Sequence, residues 1–112
     1  MAVQTARCAP AKPGAGTDDF ERKAADAAQL LKVLANEHRL LILCRLAETR
    51  EMSVNGLAAA VGLSQSALSQ HLAKMREDGL LGTRREAQTV FYRLADPNAE
   101  RLLALLRDIY CP

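Results

Sequence analysis

Apolar residues recur along most of this chain at the three- and four-residue spacing that gives a helix one greasy stripe. A first helix is predicted from Thr17 or Asp18 to about Leu34, with Phe20, Ala24, Ala27, Leu31 and Leu34 along one stripe. Asp18 followed by Glu21 has the spacing of a capping box. A second helix starts near Asn36, a good N-cap residue, and carries Leu40, Leu41, Leu43, Cys44 and Ala47 inward. Ser53 is placed to cap a short third helix holding Leu57, Ala58 and Val61, which Gly62 closes. Ser64 caps a fourth, with Ala67, Leu68, Leu72 and Met75 inward, ending near Gly79. The link Val61-Gly62-Leu63-Ser64 is the short, glycine-containing turn of a helix-turn-helix.

The period then changes. Thr89 to Leu94 alternates faces and is rich in β-branched and aromatic residues, which predicts a strand. Leu80 to Glu86 is its expected hairpin partner, with a turn at Ala87 and Gln88. Pro97 opens a last helix running to about Cys111. It is apolar on more than one side: Leu102, Leu105, Leu106 and Ile109 form one stripe, and Leu103 with Tyr110 extends another. A terminal helix of a small protein cannot bury both faces in its own core, so a second subunit is expected to cover one of them. The predicted fold class is mainly α: a winged helix-turn-helix of five helices plus a two-stranded β wing, in the order α-α-α-α-β-β-α, working as a homodimer. Residues 1–16, rich in Ala, Pro and Gly without periodicity, are expected to be a mobile tail, and residues 17–112 the DNA-binding and dimerisation domain.

Composition narrows the class. With 112 residues, 49% hydrophobic and 25% charged, the chain suits one globular domain. The absence of Trp leaves Leu, Ala and Val to build the core. A net charge of +2 says little by itself, but residues 63–94 carry five basic against three acidic groups. The excess therefore sits on the helix-turn-helix and hairpin. No apolar run serves as a signal peptide or membrane span, so a cytoplasmic location with reduced thiols and no membrane partner is expected. The three cysteines form no Cys-x-x-Cys pair, and His38 and His71 are too far apart in sequence to be a local ligand pair. No carboxylate pair, nucleophile-base set or glycine-rich phosphate loop points to an enzyme.

The fourth helix leaves Gln65, Ser66, Ser69, Gln70 and Lys74 facing out, with His71 at its flank. Short hydroxyls and amides approach base edges closely, Gln can pair bidentately with adenine, and Lys can neutralise a phosphate. The hairpin adds Arg84, Arg85 and Arg93, with Gln88 at its tip, as a wing able to clamp the backbone or enter the minor groove. Each of these residues alone is equally well a solvated surface side chain. Together, a helix-turn-helix followed at once by a basic hairpin points to double-stranded operator DNA.

The stretches LKVLANEHRLLILCRL, LSQSALSQHLAKMREDGLL and RREAQTVFYRL resemble the ArsR family of dimeric bacterial repressors over roughly residues 28–111. The resemblance implies a dimer interface made by the first and last helices, and a recognition helix carrying Gln65, Ser66, Ser69, Gln70 and His71. Metal sensors of that family usually carry Cys-x-Cys at the start of the third helix. The corresponding residues here, Met52 to Leu57, hold no thiol. A second family metal site uses His and carboxylates on the last helix, where this chain has Glu100 and Asp108 but no His. Neither a metal site nor any other cofactor is expected. Ala87 stands at a wing-turn position where the family often has Gly.

Cys44 in an Ile-Leu-Cys stretch and Cys111 in Ile-Tyr-Cys-Pro resemble the dithiol, BigR/SqrR/HlyU-like subgroup of that family. The resemblance implies that these two thiols sense reactive sulfur species, persulfides or polysulfides. On becoming linked through a disulfide or a sulfur-containing bridge, they release the DNA. A direct disulfide needs Cα atoms within about 7 Å, whereas inserted sulfur tolerates a wider gap. Which thiol attacks first stays open, since the helix C-terminus opposes a thiolate at Cys111 while Arg107 favours one. An isolated cysteine such as Cys44 is otherwise a small buried hydrophobe, and Cys8 is given no role. The alternatives are a metal-responsive or ligand-independent regulator of the same family, including one that displaces another repressor, and a protein-interaction module without DNA.

Overall fold

The computed structural model describes residues 16–111. The expected tail of residues 1–16, with Cys8, lies outside them save for Gly16, where the first helix begins. That helix, α1 (Gly16–Leu34), places Asp18 and Asp19 in its first turn and Lys32 in its last. Both placements favour the helix dipole. Asp18 therefore sits inside the first turn instead of capping it, and the Thr17 side chain lies outside the described set. Lys23 pairs with Asp19 at 3.1 Å, the i,i+4 geometry of an exposed helical ion pair. Phe20 and Leu31 stand exposed on its surface.

The chain divides near Val33 into two compact units, and everything after that point packs as one body. Its elements are α2 (Glu37–Thr49), β1 (Met52–Ser53), α3 (Val54–Val61), α4 (Gln65–Glu77), β2 (Leu81–Glu86), β3 (Thr89–Leu94) and α5 (Pro97–Tyr110). The predicted caps account for the breaks between them. The Asn36 side chain accepts from the N–H groups of His38 and Arg39. The Ser53 hydroxyl accepts from Gly56, and the Ser64 hydroxyl from Ala67. Gly62 ends α3 in the left-handed region at φ 72°, ψ 31°. Asp96, not among the predicted caps, also caps α5 ahead of Pro97.

Four helices of this unit share one core. Ile42, Leu43 and Leu46 of α2 meet Leu57 of α3, the Leu68–Leu72–Met75 stripe of α4 and Leu103 of α5, all 1% exposed or less. The inward phase of α2 differs from expectation. Leu41, predicted inward, is 49% exposed, while Ile42 and Leu46 are buried. Nearly every residue from Leu40 to Ala47 is apolar, so the periodicity of this stretch is too weak to fix its rotation. On α5 the inner face is Ala99 and Leu103, while Leu105 and Ile109 are more than half exposed and Tyr110 is 76% exposed.

The sheet has one strand more than predicted. It runs β1-β3-β2, all antiparallel, with Met52 opposite Tyr92 and Leu81 opposite Leu94. Two residues are too few to carry an alternation of their own, and β1 exists because the exposed edge of β3 is there to pair with it. The turn at Ala87 and Gln88 forms as expected, with Ala87 at φ 57°.

Candidate nucleic-acid interface

Helix α4 is built to hold one face in the core and present the other. Leu68, Leu72 and Met75, at the i, i+4, i+7 spacing, bury their side chains. The same rotation leaves Gln65, Ser66, Ser69, Gln70 and Lys74 exposed. The Ser64 hydroxyl accepts from the Ala67 N–H at 3.1 Å and fixes where the helix begins. The Gln65 amide donates to Asn55 Oδ1 on α3, so one base-reading candidate is oriented by the other helix of the pair. Lys74 Nζ lies 3.7 Å from Asp78 Oδ2, an ionic contact too long for a hydrogen bond and open to exchange for a phosphate.

His71 has a different setting. It is half-buried at the flank of α4, with Arg39 Nε donating to its Nδ1 at 3.5 Å and the His38 ring 5.8 Å away. Loss of hydration pushes its pKa below the usual imidazole value, and the nearby Arg39 and His38 push it the same way. Arg39 and His38 had no part in the sequence-based site. They lie on α2, 32 and 33 residues away, and only the packing of α2 on α4 brings them there.

The wing residues divide between its two faces. Side chains alternate along a strand, and the register puts Thr83, Arg85, Val90 and Tyr92 on one face. Tyr92 shares a groove with Ser69, Lys74 and Arg76, so this face borders the outer surface of α4. Arg84 and Arg93 fall on the other face with Phe91. There Arg84 forms a forked pair with Glu51, Nε to Oε2 at 2.9 Å and Nη2 to Oε1 at 2.8 Å. A further contact reaches Glu86 at 3.4 Å, and the guanidinium sits 4.6 Å from the centre of the Phe91 ring. The hydrogen bond from Arg84 holds the Glu51 carboxyl below the usual carboxylate range. Arg93 lies across Gly82 and donates to the Thr83 carbonyl at 3.4 Å. Gln88 is exposed at the tip. Of the predicted site residues, Gln65, Ser66, Ser69, Gln70 and Lys74 share the outer face of α4, and Arg85 lies on the wing face that borders it, while Arg84 and Arg93 are on the opposite face. Glu51, the partner that engages Arg84, was not among the sequence-based candidates.

Comparison with known proteins places this architecture. Residues 36–82 match the model of the bacterial regulatory protein, arsR family. The transcriptional activator HlyU of Vibrio cholerae is 52% identical over 93 residues, covering 83% of this chain and 85% of that protein. The chain belongs to the ArsR family. A biofilm growth-associated repressor of Agrobacterium fabrum is 46% identical over 92 residues, covering 82% of this chain and 78% of that one. The solved structure of reduced HlyU from Vibrio cholerae superposes with a TM-score of 0.79 at 51% identity, covering 84% of this chain and 98% of that one. These relatives are named as transcriptional regulators, and this chain is a transcriptional regulator of the same family, in its BigR/HlyU-like group.

This ArsR-family regulator also has a second distinctive region. A groove of about 350 Å³ between α2 and α5 is lined by Leu40, Cys44, Glu48, Leu103, Leu106, Arg107, Tyr110 and Cys111. Both cysteines are free thiols, Cys44 half-buried and Cys111 exposed. Cys111 caps α5, its N–H donating to the Arg107 carbonyl at 2.7 Å. Packing thus sets along one groove two cysteines that lie 67 positions apart in the sequence. Among the described residues, no three His, Cys, Asp or Glu side chains gather in a way that would hold a metal ion, and no helix is long and apolar enough to cross a membrane.

Proposed function

We propose that this regulator is a homodimer that binds operator DNA with its thiols reduced and leaves it when Cys44 and Cys111 are linked by reactive sulfur species. The observation that carries the reading is the shared groove. Two free thiols from different helices line one largely apolar cleft, on elements separate from the outward face of α4. A neighbour of this fold was solved as reduced HlyU, which accords with thiols as the reactive groups. On the DNA side, the exposed residues Gln65, Ser66, Ser69 and Gln70 read base edges, with His71 beside them. Lys74, Arg85 and Gln88 meet the backbone. A second copy covers Leu105, Ile109 and Tyr110 of α5 and sets two α4 helices about one helical turn of DNA apart.

The chemistry balances with a persulfide RSSH as oxidant. One cysteine thiolate attacks the outer sulfur and expels RS⁻, giving a cysteine persulfide. The second thiolate attacks the cysteine sulfur of that persulfide and expels HS⁻, closing a disulfide. Two thiols and RSSH thus become a disulfide, RSH and H₂S. With a longer polysulfide the first step gives CysS–S–SH, and attack of the second thiolate on its middle sulfur expels HS⁻ and leaves one extra sulfur in the bridge. Either product ties α5 to α2, and α2 also carries Arg39, which contacts His71 on the reading helix. The crosslink therefore acts on an element that touches α4 directly.

Intact-protein mass spectrometry after polysulfide treatment tests the sensor. An intramolecular Cys44–Cys111 link, with or without added sulfur, is expected. Two independently capped thiols would rule it out.

A further inference from the structure

The wing of this protein carries two kinds of arginine, and they divide the work. Arg85 is exposed on the sheet face that borders α4. Arg84 and Arg93 lie on the opposite face, and each is occupied. Both guanidinium-to-carboxylate hydrogen bonds of the Arg84–Glu51 fork are short, and such forked pairs hold one geometry more firmly than a single contact. Phe91 lies beneath the Arg84 guanidinium. Glu51 immediately precedes β1, and by register it sits opposite Arg93, whose guanidinium occupies the space a side chain at position 82 would need. A Cβ on Gly82 would come within 3.0 Å of the Arg93 guanidinium carbon. Arg93 also lines a cleft with Arg50, Glu51 and Glu100, away from the recognition helix.

We infer that Glu51 is a positioning residue for the wing. It holds Arg84 as a strut between the α2–α3 connection and the hairpin, so Arg84 sets the pose of the wing while Arg85 makes the phosphate contact. The carboxylate itself argues for this assignment. A duplex phosphate brought to Arg84 would meet Glu51 and Glu86 at the same guanidinium, an arrangement that repels a polyanion. The strut joins residues 33 positions apart and ties the hairpin to the connection that leads through β1 into α3, the first helix of the helix-turn-helix.

The inference rests on the DNA-binding reading, and the test separates the two. The probe is the duplex that the wild-type protein enriches from a randomised 30-base-pair pool, with affinity measured across a range of salt. Arg85→Ala should flatten the log–log salt dependence by about 0.9 per wing, as for one lost phosphate contact. Arg84→Lys keeps the charge but cannot make the fork. It should weaken binding about two- to fivefold per wing at every salt concentration, with the slope unchanged. Arg84→Glu and Glu51→Arg should each weaken binding, and the double exchange should restore wild-type affinity to within about twofold. Thermal unfolding of each variant confirms that it is folded. If Arg84→Lys binds like wild type the strut is wrong, and if Arg84→Ala flattens the slope as Arg85→Ala does, Arg84 is instead a phosphate contact. Failure of the double exchange to restore binding, with the protein folded, also overturns it. Enrichment of no duplex at all by wild-type protein would instead overturn the DNA-binding reading, and the strut's role with it.

Discussion

Two backbone positions in the left-handed region allow reciprocal substitutions with opposite outcomes. Gly62 closes α3 at φ 72°, ψ 31°, and Ala87 turns the wing at φ 57°. A Cβ at Gly62 would meet nothing within 4 Å, so Gly62→Ala introduces no clash and its effect is conformational alone. An L-residue in this region costs roughly 1–2 kcal/mol. The reduced freedom of the unfolded chain offsets about 0.4–1 kcal/mol of that. The net loss is about 1 kcal/mol, which for a domain of this size lowers Tm by about 4–8 °C. Ala87→Gly reverses both contributions and should raise Tm by a similar or smaller amount. Gly62→Asn, tolerated better in this conformation, should fall between wild type and Gly62→Ala. The assay is thermal unfolding at one fixed protein concentration, because the Tm of the proposed dimer would depend on concentration. A Gly62→Ala protein as stable as wild type would mean that the turn between α3 and α4 does not adopt this conformation.

Other substitutions probe α4 and its neighbours. Ser64→Ala removes the acceptor for the Ala67 N–H and should cost about 1 kcal/mol, read as a shift in urea midpoint; no shift would mean the cap is not formed in solution. His71 is held below its unfolded pKa, so the unfolded chain takes up its proton first as pH falls below about 6.5. Its contribution to stability is therefore full above that range and is lost on acidification. His71→Gln should flatten the pH dependence of the urea midpoint between about pH 5 and 7, and a profile identical to wild type would contradict this. Leu72→Ala, at 1% exposure in the wild type, should cost about 2–5 kcal/mol and weaken duplex binding through loss of α4 packing; a near-neutral effect on unfolding would be inconsistent with a core residue.

What could be read from the sequence follows the range of the interactions involved. The caps at Asn36, Ser53 and Ser64 depend on one side chain and backbone two or three residues away, and the stop at Gly62 on its own left-handed backbone; all four form as the sequence suggests. The exposed face of α4 follows from the same short-range periodicity. The rotation of α2 did not, because its apolar residues surround most of the helix and only the packing of its neighbours chooses Ile42 over Leu41. The two-residue β1 had no pattern to detect. The wing arginines looked alike because charge is visible in a sequence and strand register is not. One residue of register decides whether a side chain faces α4 or Glu51. Likewise Cys44 and Cys111 were paired only by resemblance, and their common groove is a product of how α5 lies on α2.

The affinity of the reduced protein for its selected duplex, measured before and after polysulfide treatment alongside Cys44→Ser and Cys111→Ser, addresses both halves of the mechanism at once. Wild-type protein should bind tightly when reduced and lose about ten- to hundredfold on treatment, a coupling of roughly 1.4–2.8 kcal/mol. Either serine variant should bind as well as reduced wild type and stay bound after treatment. A wild-type affinity that polysulfide leaves unchanged, or a Cys44→Ser protein released as readily as wild type, would contradict it.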